Sequence, residues 1–139
     1  MVIKKHFDSG LELDMSFDSK VYVFTDNSST GKTYLFNILR RYFEEVGVDY
    51  SVIDFKDVLR VDFSDDYVVK QCQMYPIIAL DNADLYMTPD LFSRIDNLGN
   101  TILISIKDEF LLRPFKVQSK LSSYEEADLF FENNKLEVL

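Results

Sequence analysis

The sequence is poor in the residues that punctuate or crosslink a chain: its 139 residues include four glycines, three prolines, one cysteine and no tryptophan. With so few glycines and prolines, turns must depend on Asp, Asn and Ser. The lone cysteine, Cys72, has no partner for an internal disulfide, so we expect a small buried side chain in a reducing compartment. The single histidine, His6, has no His or Cys companion at ligand spacing, which favours a structural or exposed role over a metal site.

Positive charge is scarce as well: 15 Lys and Arg face 24 Asp and Glu, which gives a net charge of −9 at pH 7. This balance makes nucleic acid an unfavourable partner, because non-specific binding depends on Lys and Arg that neutralise phosphates. It also disfavours an anionic membrane surface. No apolar run reaches membrane-spanning length and the N-terminus has no signal-peptide core, so we expect a cytoplasmic protein without membrane association.

What the chain does contain is apolar: 47% of its residues are hydrophobic and 14% are aromatic, which indicates a globular protein with a buried core. Its length predicts one domain over residues 1–139. Residues 1–17 alternate weakly between apolar and polar, which predicts a hairpin that leads into a strand at 20–25. Over residues 32–46 apolar side chains recur every three or four positions, which predicts an amphipathic helix with Gly47 as its C-cap.

The rest of the chain alternates between strand and helix patterns. We predict, in order, a strand at 48–55, a helix at 65–73, a buried strand at 76–80, a helix from Thr88 or Asp90 to Asp96, a buried strand at 101–106, and terminal strands at the sheet edge after residue 115, with a turn or short helix at 124–127. This alternation predicts a three-layer α/β fold: a mainly parallel central sheet of about five strands with flanking helices, plus hairpin-like strands at both ends of the chain. Ligands of such folds gather at the carboxyl ends of the strands.

One such strand end is followed by DNSSTGKT, directly before the predicted amphipathic helix. A phosphate-binding P-loop reads G-x-x-x-x-G-K-[ST] in this context, and its backbone N–H groups and helix N-terminus hold phosphate oxygens. In that pattern Lys32 would reach the β- and γ-phosphates, and the Thr33 hydroxyl would bind Mg²⁺. The first glycine of the pattern is replaced by Asp26. Asp tolerates left-handed backbone better than most residues, which is compatible with the turn, but its carboxylate would weaken phosphate binding unless it turns outward. The eight candidate nucleotide-binding positions are Asp26, Asn27, Ser28, Ser29, Thr30, Gly31, Lys32 and Thr33.

A second motif, IIALD, follows about 50 residues later and ends in Asp81. A Mg²⁺-nucleotide site needs a carboxylate opposite the threonine hydroxyl, carried on a strand end. Taken alone, a glycine-containing turn that binds nothing and a buried strand that ends in Asp are both common. Together, in this order and context, they predict a site with Thr33 and Asp81 at the metal.

With these motifs the chain resembles the P-loop NTPases, in particular the group with an additional strand that includes the AAA+ and ABC-type ATPases. The resemblance spans about residues 20–107 and rests on DNSSTGKT, IIALD and the strand TILISI. It implies ATP or GTP and Mg²⁺ as ligands. It also implies that the TILISI strand lies between the other two, which would bring Ser105 or Lys107 near the γ-phosphate as a sensor-like group.

The chain departs from this family at the position that activates water. Asn82 follows Asp81 where many of these ATPases have a glutamate, and an amide cannot accept the proton. Asp84 is a candidate replacement for that glutamate. The alternative is that Asp84 caps a helix or lies on the surface without a catalytic role. The chain has only five arginines, of which Arg94 and Arg113 are the candidates for an arginine finger. No ABC signature or helical lid is present.

The expectation that follows from these departures is weak or partner-dependent hydrolysis, with a second copy or another protein completing the site. The alternative from a different class is a degenerate P-loop domain that binds no nucleotide and serves as an interaction or regulatory module. The sequence does not decide between the two.

Overall fold

The computed structural model describes residues 1–24, 29–96, 98–106, 124–127, 129–132 and 135–138. Nine strands, four α-helices and one 3₁₀ helix lie in these ranges. In chain order they are β1 (Val2–His6), β2 (Glu12–Ser16), β3 (Val21–Phe24), α1 (Ser29–Val46), β4 (Tyr50–Ile53), α2 (Phe55–Val58), α3 (Asp65–Met74), β5 (Ile77–Leu80), the 3₁₀ helix (Ala83–Leu85), α4 (Pro89–Ile95), β6 (Thr101–Ser105), β7 (Tyr124–Ala127), β8 (Leu129–Glu132) and β9 (Lys135–Val138).

The main sheet has the strand order β4-β5-β6-β3-β7. Its four strands β4, β5, β6 and β3 pair in parallel, each with the next, and β7 adds to β3 in the same direction. The predicted α/β fold with a mainly parallel sheet and flanking helices is therefore confirmed. The β6 strand, TILIS, lies between β3 and β5, the position predicted for it.

Helices cover both faces of this sheet, which explains why its inner strands β3, β5 and β6 are buried and largely apolar. Successive residues of a strand point to opposite faces. Phe24 accordingly packs with Leu35 and Phe36 of α1, whereas Val23 belongs to a second core. That second core is formed with α3 and α4, through residues that include Val68, Cys72, Leu91 and Phe92.

A second, four-stranded sheet has the order β1-β2-β9-β8. The two ends of the chain each supply an antiparallel pair, β1 with β2 and β8 with β9, and the pairs join through the parallel contact of β2 with β9. The predicted hairpins at both ends are thus present. The second sheet buries Ile3, Leu13 and Met15 in the same core as α1.

The predictions for the C-terminal region need two corrections. Residues 124–127 form strand β7 and not a turn or short helix, because pairing with β3 overrides the local preference of the sequence YEEA. The β8–β9 pair belongs to the second sheet and not to an edge of the parallel sheet. The predicted strand stretch at 115–121 lies outside the described residues.

Element boundaries also differ from the predictions. Helix α1 begins at Ser29, three residues before the predicted start. Strand β4 ends at Ile53, because Asp54 caps the short helix α2 in a capping box with Asp57. Thr88 caps α4 as predicted, its side chain accepting from Leu91 N–H. None of the helices in the described ranges has the length and apolar character needed to cross a membrane.

Candidate functional site

Three neighbouring parallel strands, β5, β6 and β3, end at the same edge of the main sheet. Asp81 directly follows β5, and Ser105 is the last residue of β6. Helix α1 starts after β3, with Thr33 as its fifth residue. The topology therefore brings together at one edge three polar residues that are far apart in sequence.

Their side chains form one hydrogen-bonded cluster. Thr33 Oγ1 donates to Asp81 Oδ2 at 2.9 Å, and Ser105 Oγ donates to Asp81 Oδ1, also at 2.9 Å. Asp81 and Ser105 are only 5% and 3% exposed, whereas Thr33 is exposed to solvent. Both carboxylate oxygens are thus hydrogen-bonded, Oδ1 to the buried Ser105 and Oδ2 to the exposed Thr33.

The backbone at Asp81 is fixed as well. Asp81 N–H donates to Ile53 O on β4 at 2.8 Å. The next residue, Asn82, has a left-handed backbone (φ 51°, ψ 46°) and is the one non-glycine residue in the described ranges with positive φ. Asn adopts this conformation more readily than most residues. The turn lets Asn82 N–H donate to Ser105 Oγ at 2.9 Å, which closes the cluster from the β5 side.

The start of α1 faces the same edge. In any α-helix the first four backbone N–H groups have no acceptor within the helix, and here they belong to Ser29, Thr30, Gly31 and Lys32. The first turn carries no acidic residue that would compete for them. Of the other predicted nucleotide-binding positions, Asp26, Asn27 and Ser28 lie outside the described residues.

Asp84, the predicted substitute acid, lies in the 3₁₀ helix after Asn82 and is half-buried. It lines a cavity of about 310 Å³ together with Phe55, Asn82 and Leu85. Its proposed role in activating water stays a prediction.

Of the three basic residues named as candidates for an arginine finger or a sensor-like group, the structure describes one, Arg94. Arg94 forms an ion pair with Asp66 of α3, with Nη2 and Oδ1 2.6 Å apart, so its guanidinium is engaged on the surface. Lys107 and Arg113 lie outside the described residues.

Two titratable groups in or against the second core are neutral. Burial raises the pKa of the Cys72 thiol to about 12, so it stays protonated and is a poor nucleophile. The thiol is fully buried in the second core, as predicted for a small apolar residue. Burial also raises the pKa of the Tyr86 phenol well above its ordinary value, and the charge of Asp81 acts in the same direction.

Sequence reasoning predicted the pairing of Thr33 with Asp81 but missed part of what holds it. The left-handed turn at Asn82 and its bond to Ser105 have no sequence signal beyond the tolerance of Asn for positive φ. Ser105 or Lys107 was expected near the γ-phosphate as a sensor-like group, and this stays a prediction. In the structure the Ser105 hydroxyl donates to Asp81 and accepts from Asn82 N–H, which gives it a role in positioning the carboxylate.

No protein-family model matches the chain, and a search of curated proteins finds no similar sequence. Function must therefore be inferred from the geometry of the cluster. Within the described ranges, no group of three or more His, Cys, Asp or Glu side chains could hold a metal ion. A metal at this edge would need oxygen ligands of another kind, such as a hydroxyl, a phosphate or water.

Proposed function

We propose that this protein is a P-loop NTPase-like domain that binds ATP or GTP with Mg²⁺ at the carboxyl edge of its parallel sheet. The observation that carries the proposal is the 2.9 Å hydrogen bond between Thr33 and Asp81, two residues 48 positions apart. A P-loop site needs these two groups side by side, the hydroxyl at the start of the helix and the carboxylate at the end of a neighbouring strand.

The strand order supports the proposal independently of the motifs. Strand β6 lies between β3 and β5, so a residue after β5 meets the start of α1 across the end of β6. A threonine and an aspartate placed only by the need for a turn would have no reason to meet there. In open parallel sheets, this region outside the strand ends is where ligands bind.

The donor set fits Mg²⁺. Mg²⁺ prefers hard oxygen ligands and is usually bound through one or two carboxylates, with phosphates and water completing the shell. Thr33 and Asp81 supply a hydroxyl and a carboxylate, and Ser105 orients the carboxylate from the buried side. When bound, the ion would neutralise charge on the phosphates.

The phosphates themselves would be held by α1. Its first four N–H groups, at residues 29–32, have no acceptor within the helix, and together with the positive end of the helix dipole they favour an anion. Lys32 would add a positive charge for the β- and γ-phosphates. ATP is preferred over GTP in this proposal only through the family resemblance.

Hydrolysis by the isolated chain is proposed to be slow. Asn82 cannot accept a proton from water, and Arg94 is paired with Asp66. Asp84 is the remaining candidate base on this segment. Faster turnover would need a group from a second copy or another protein.

The second candidate is a P-loop domain without nucleotide, an interaction or regulatory module. One observation favours it: Thr33 and Ser105 already satisfy both oxygens of Asp81, so the cluster is self-sufficient as a structural element.

A thermal-shift titration with Mg·ATP and Mg·GTP separates the two candidates, because a ligand that binds only the native state must raise its stability. The parent should be stabilised. Lys32→Ala should fold normally and lose most of the shift, because a point charge for the phosphates is removed. Lys70→Ala, which removes an exposed lysine on α3, is the matched control and should behave as the parent. If neither nucleotide raises the melting temperature of the parent, the nucleotide-binding proposal is wrong and the interaction module is the remaining candidate.

The metal assignment has its own test. Asp81→Asn should reduce nucleotide affinity measured by calorimetry with Mg²⁺ far more than affinity measured with EDTA, since the carboxylate is proposed to act through the ion. Asp49→Asn, at the opposite edge of the sheet before β4, controls for the loss of one negative charge. Equal losses in both buffers would assign Asp81 a structural role.

A further inference from the structure

The cavity beside the cluster is bordered by apolar side chains that are unusually exposed. Phe55 and Leu85 line it and are 52% and 60% exposed, with Asn82 and Asp84 as its polar wall. We call these four residues the Phe55–Leu85 cleft. Leu59 and Val61, in the segment that continues from Phe55, are also exposed. Exposed apolar residues concentrated beside a cleft mark an interaction site more often than isolated ones do.

The segments that carry the cleft are strongly acidic. Residues 54–66 follow β4 and residues 81–90 follow β5, so both lie at the carboxyl edge of the sheet. Together they contain eight aspartates against Lys56 and Arg60, a net charge of −6 out of −9 for the whole chain. Arg60 is itself paired with Asp62, at 2.9 Å between Nε and Oδ1. Most of the chain's excess negative charge therefore lies in the two segments that carry the cleft, with Asp66 paired to Arg94.

We propose that the Phe55–Leu85 cleft docks a basic segment of a partner protein, with one large apolar side chain of that segment seated in the cavity. At about 310 Å³ the cavity is at the low end of the range of roughly 300–1,000 Å³ for small-molecule pockets, which suits a single anchoring side chain. Lys or Arg residues flanking the anchor would face the aspartates. Complementary charge of this kind speeds association and excludes wrong partners.

Charge also argues against the other occupants. A second copy of the chain would bring the same two segments, with their net charge of −6, and a total net charge of −9, so the two copies would repel each other. Nucleic acid and anionic membranes carry the same sign. A basic protein segment is the macromolecular occupant that satisfies both the apolar wall and the charge.

The probe is a labelled twelve-residue peptide of lysines and arginines around one central leucine, titrated by fluorescence anisotropy with the full-length protein in the absence of nucleotide. A second peptide has serine in place of the leucine. We expect the leucine peptide to bind more tightly, and its affinity to fall as salt is raised. Because no nucleotide is present, this result is independent of the nucleotide proposal.

Variants locate the binding. Leu85→Ser should weaken binding of the leucine peptide by about tenfold, because a buried anchor contact is lost. Met74→Ser is the matched control: Met74 is 58% exposed but lies at the end of α3, at the opposite edge of the sheet. Phe55→Ser should repeat the Leu85 effect. Asp84→Asn should weaken binding several-fold, and Asp49→Asn should not.

Several results would overturn the proposal: no binding, equal affinity for the two peptides, or equal effects of Leu85→Ser and Met74→Ser. Sedimentation velocity of the parent and of Leu85→Ser measures whether the cleft is instead an interface between two copies of the chain. A parent that is a dimer, and that Leu85→Ser converts to a monomer, would assign the cleft to a second copy instead.

Discussion

The two sheets of this protein differ in how their strands are buried and in what their ends carry. Strands β3, β5 and β6 of the parallel sheet are buried along their whole length, and the polar residues Asp81 and Ser105 stand where β5 and β6 end. Strands β1 and β2 of the second sheet alternate between buried and more exposed residues. Its buried residues, such as Leu13, pack into the core beside α1.

The two sheets therefore have different roles: the parallel sheet positions the polar cluster, and the second sheet adds to the buried core. The parallel sheet places the connecting segments of distant strands at one edge, so the Thr33–Asp81–Ser105 cluster forms there. The second sheet contributes apolar area on one face of α1 and brings the two ends of the chain together. We therefore expect changes in the second sheet to alter folding, and changes at the carboxyl edge to alter ligand binding.

The largest expected effect tests the second sheet. Ile3→Ala should lower the free energy of unfolding by about 2–5 kcal/mol, because a fully buried side chain is truncated within a packed core. Val2→Ala, its neighbour on β1 and 64% exposed, should change stability by less than about 0.5 kcal/mol. Denaturant unfolding measures both. Similar small losses in the two variants would mean that the second sheet contributes little to the core.

The next effect concerns the start of the nucleotide site. Asp26→Gly should tighten Mg·ATP binding by about tenfold, because one negative charge near the phosphates is removed at a gain of about 1–2 kcal/mol. Glycine also adopts positive φ without steric cost. Calorimetry on the parent and the variant measures the change. Absence of binding in both would remove the nucleotide-binding proposal.

An effect of similar size tests whether Ser105 positions Asp81. Ser105→Ala removes a donor to Asp81 and the acceptor of Asn82 N–H, and should lower stability by about 1–2 kcal/mol. It should also weaken Mg²⁺-dependent nucleotide binding while leaving binding in EDTA nearly unchanged. Ser105→Thr keeps the hydroxyl and should restore the metal dependence. A loss of stability with unaltered metal dependence in the alanine variant would confine Ser105 to a structural role.

Much of the fold could be read from local patterns. The period of apolar residues predicted α1, and the capping residue Thr88 predicted α4, because both depend on interactions within a few residues. Start positions were less accurate: α1 begins at Ser29 and not at residue 32. The sequence YEEA at 124–127 was misassigned, since its strand conformation comes from pairing with β3, which is about a hundred residues earlier.

The sequence by itself determined the chemical content of the site: a hydroxyl at a helix start, a carboxylate at a strand end, and an asparagine where an acid is usual. Only the tertiary structure decided that Thr33 and Asp81 meet, that Ser105 holds the carboxylate, and that the chain ends share a sheet. The physical reason is the distance along the sequence over which the interactions act. Side-chain type and periodicity act over a few residues, whereas these contacts depend on the order in which strands assemble.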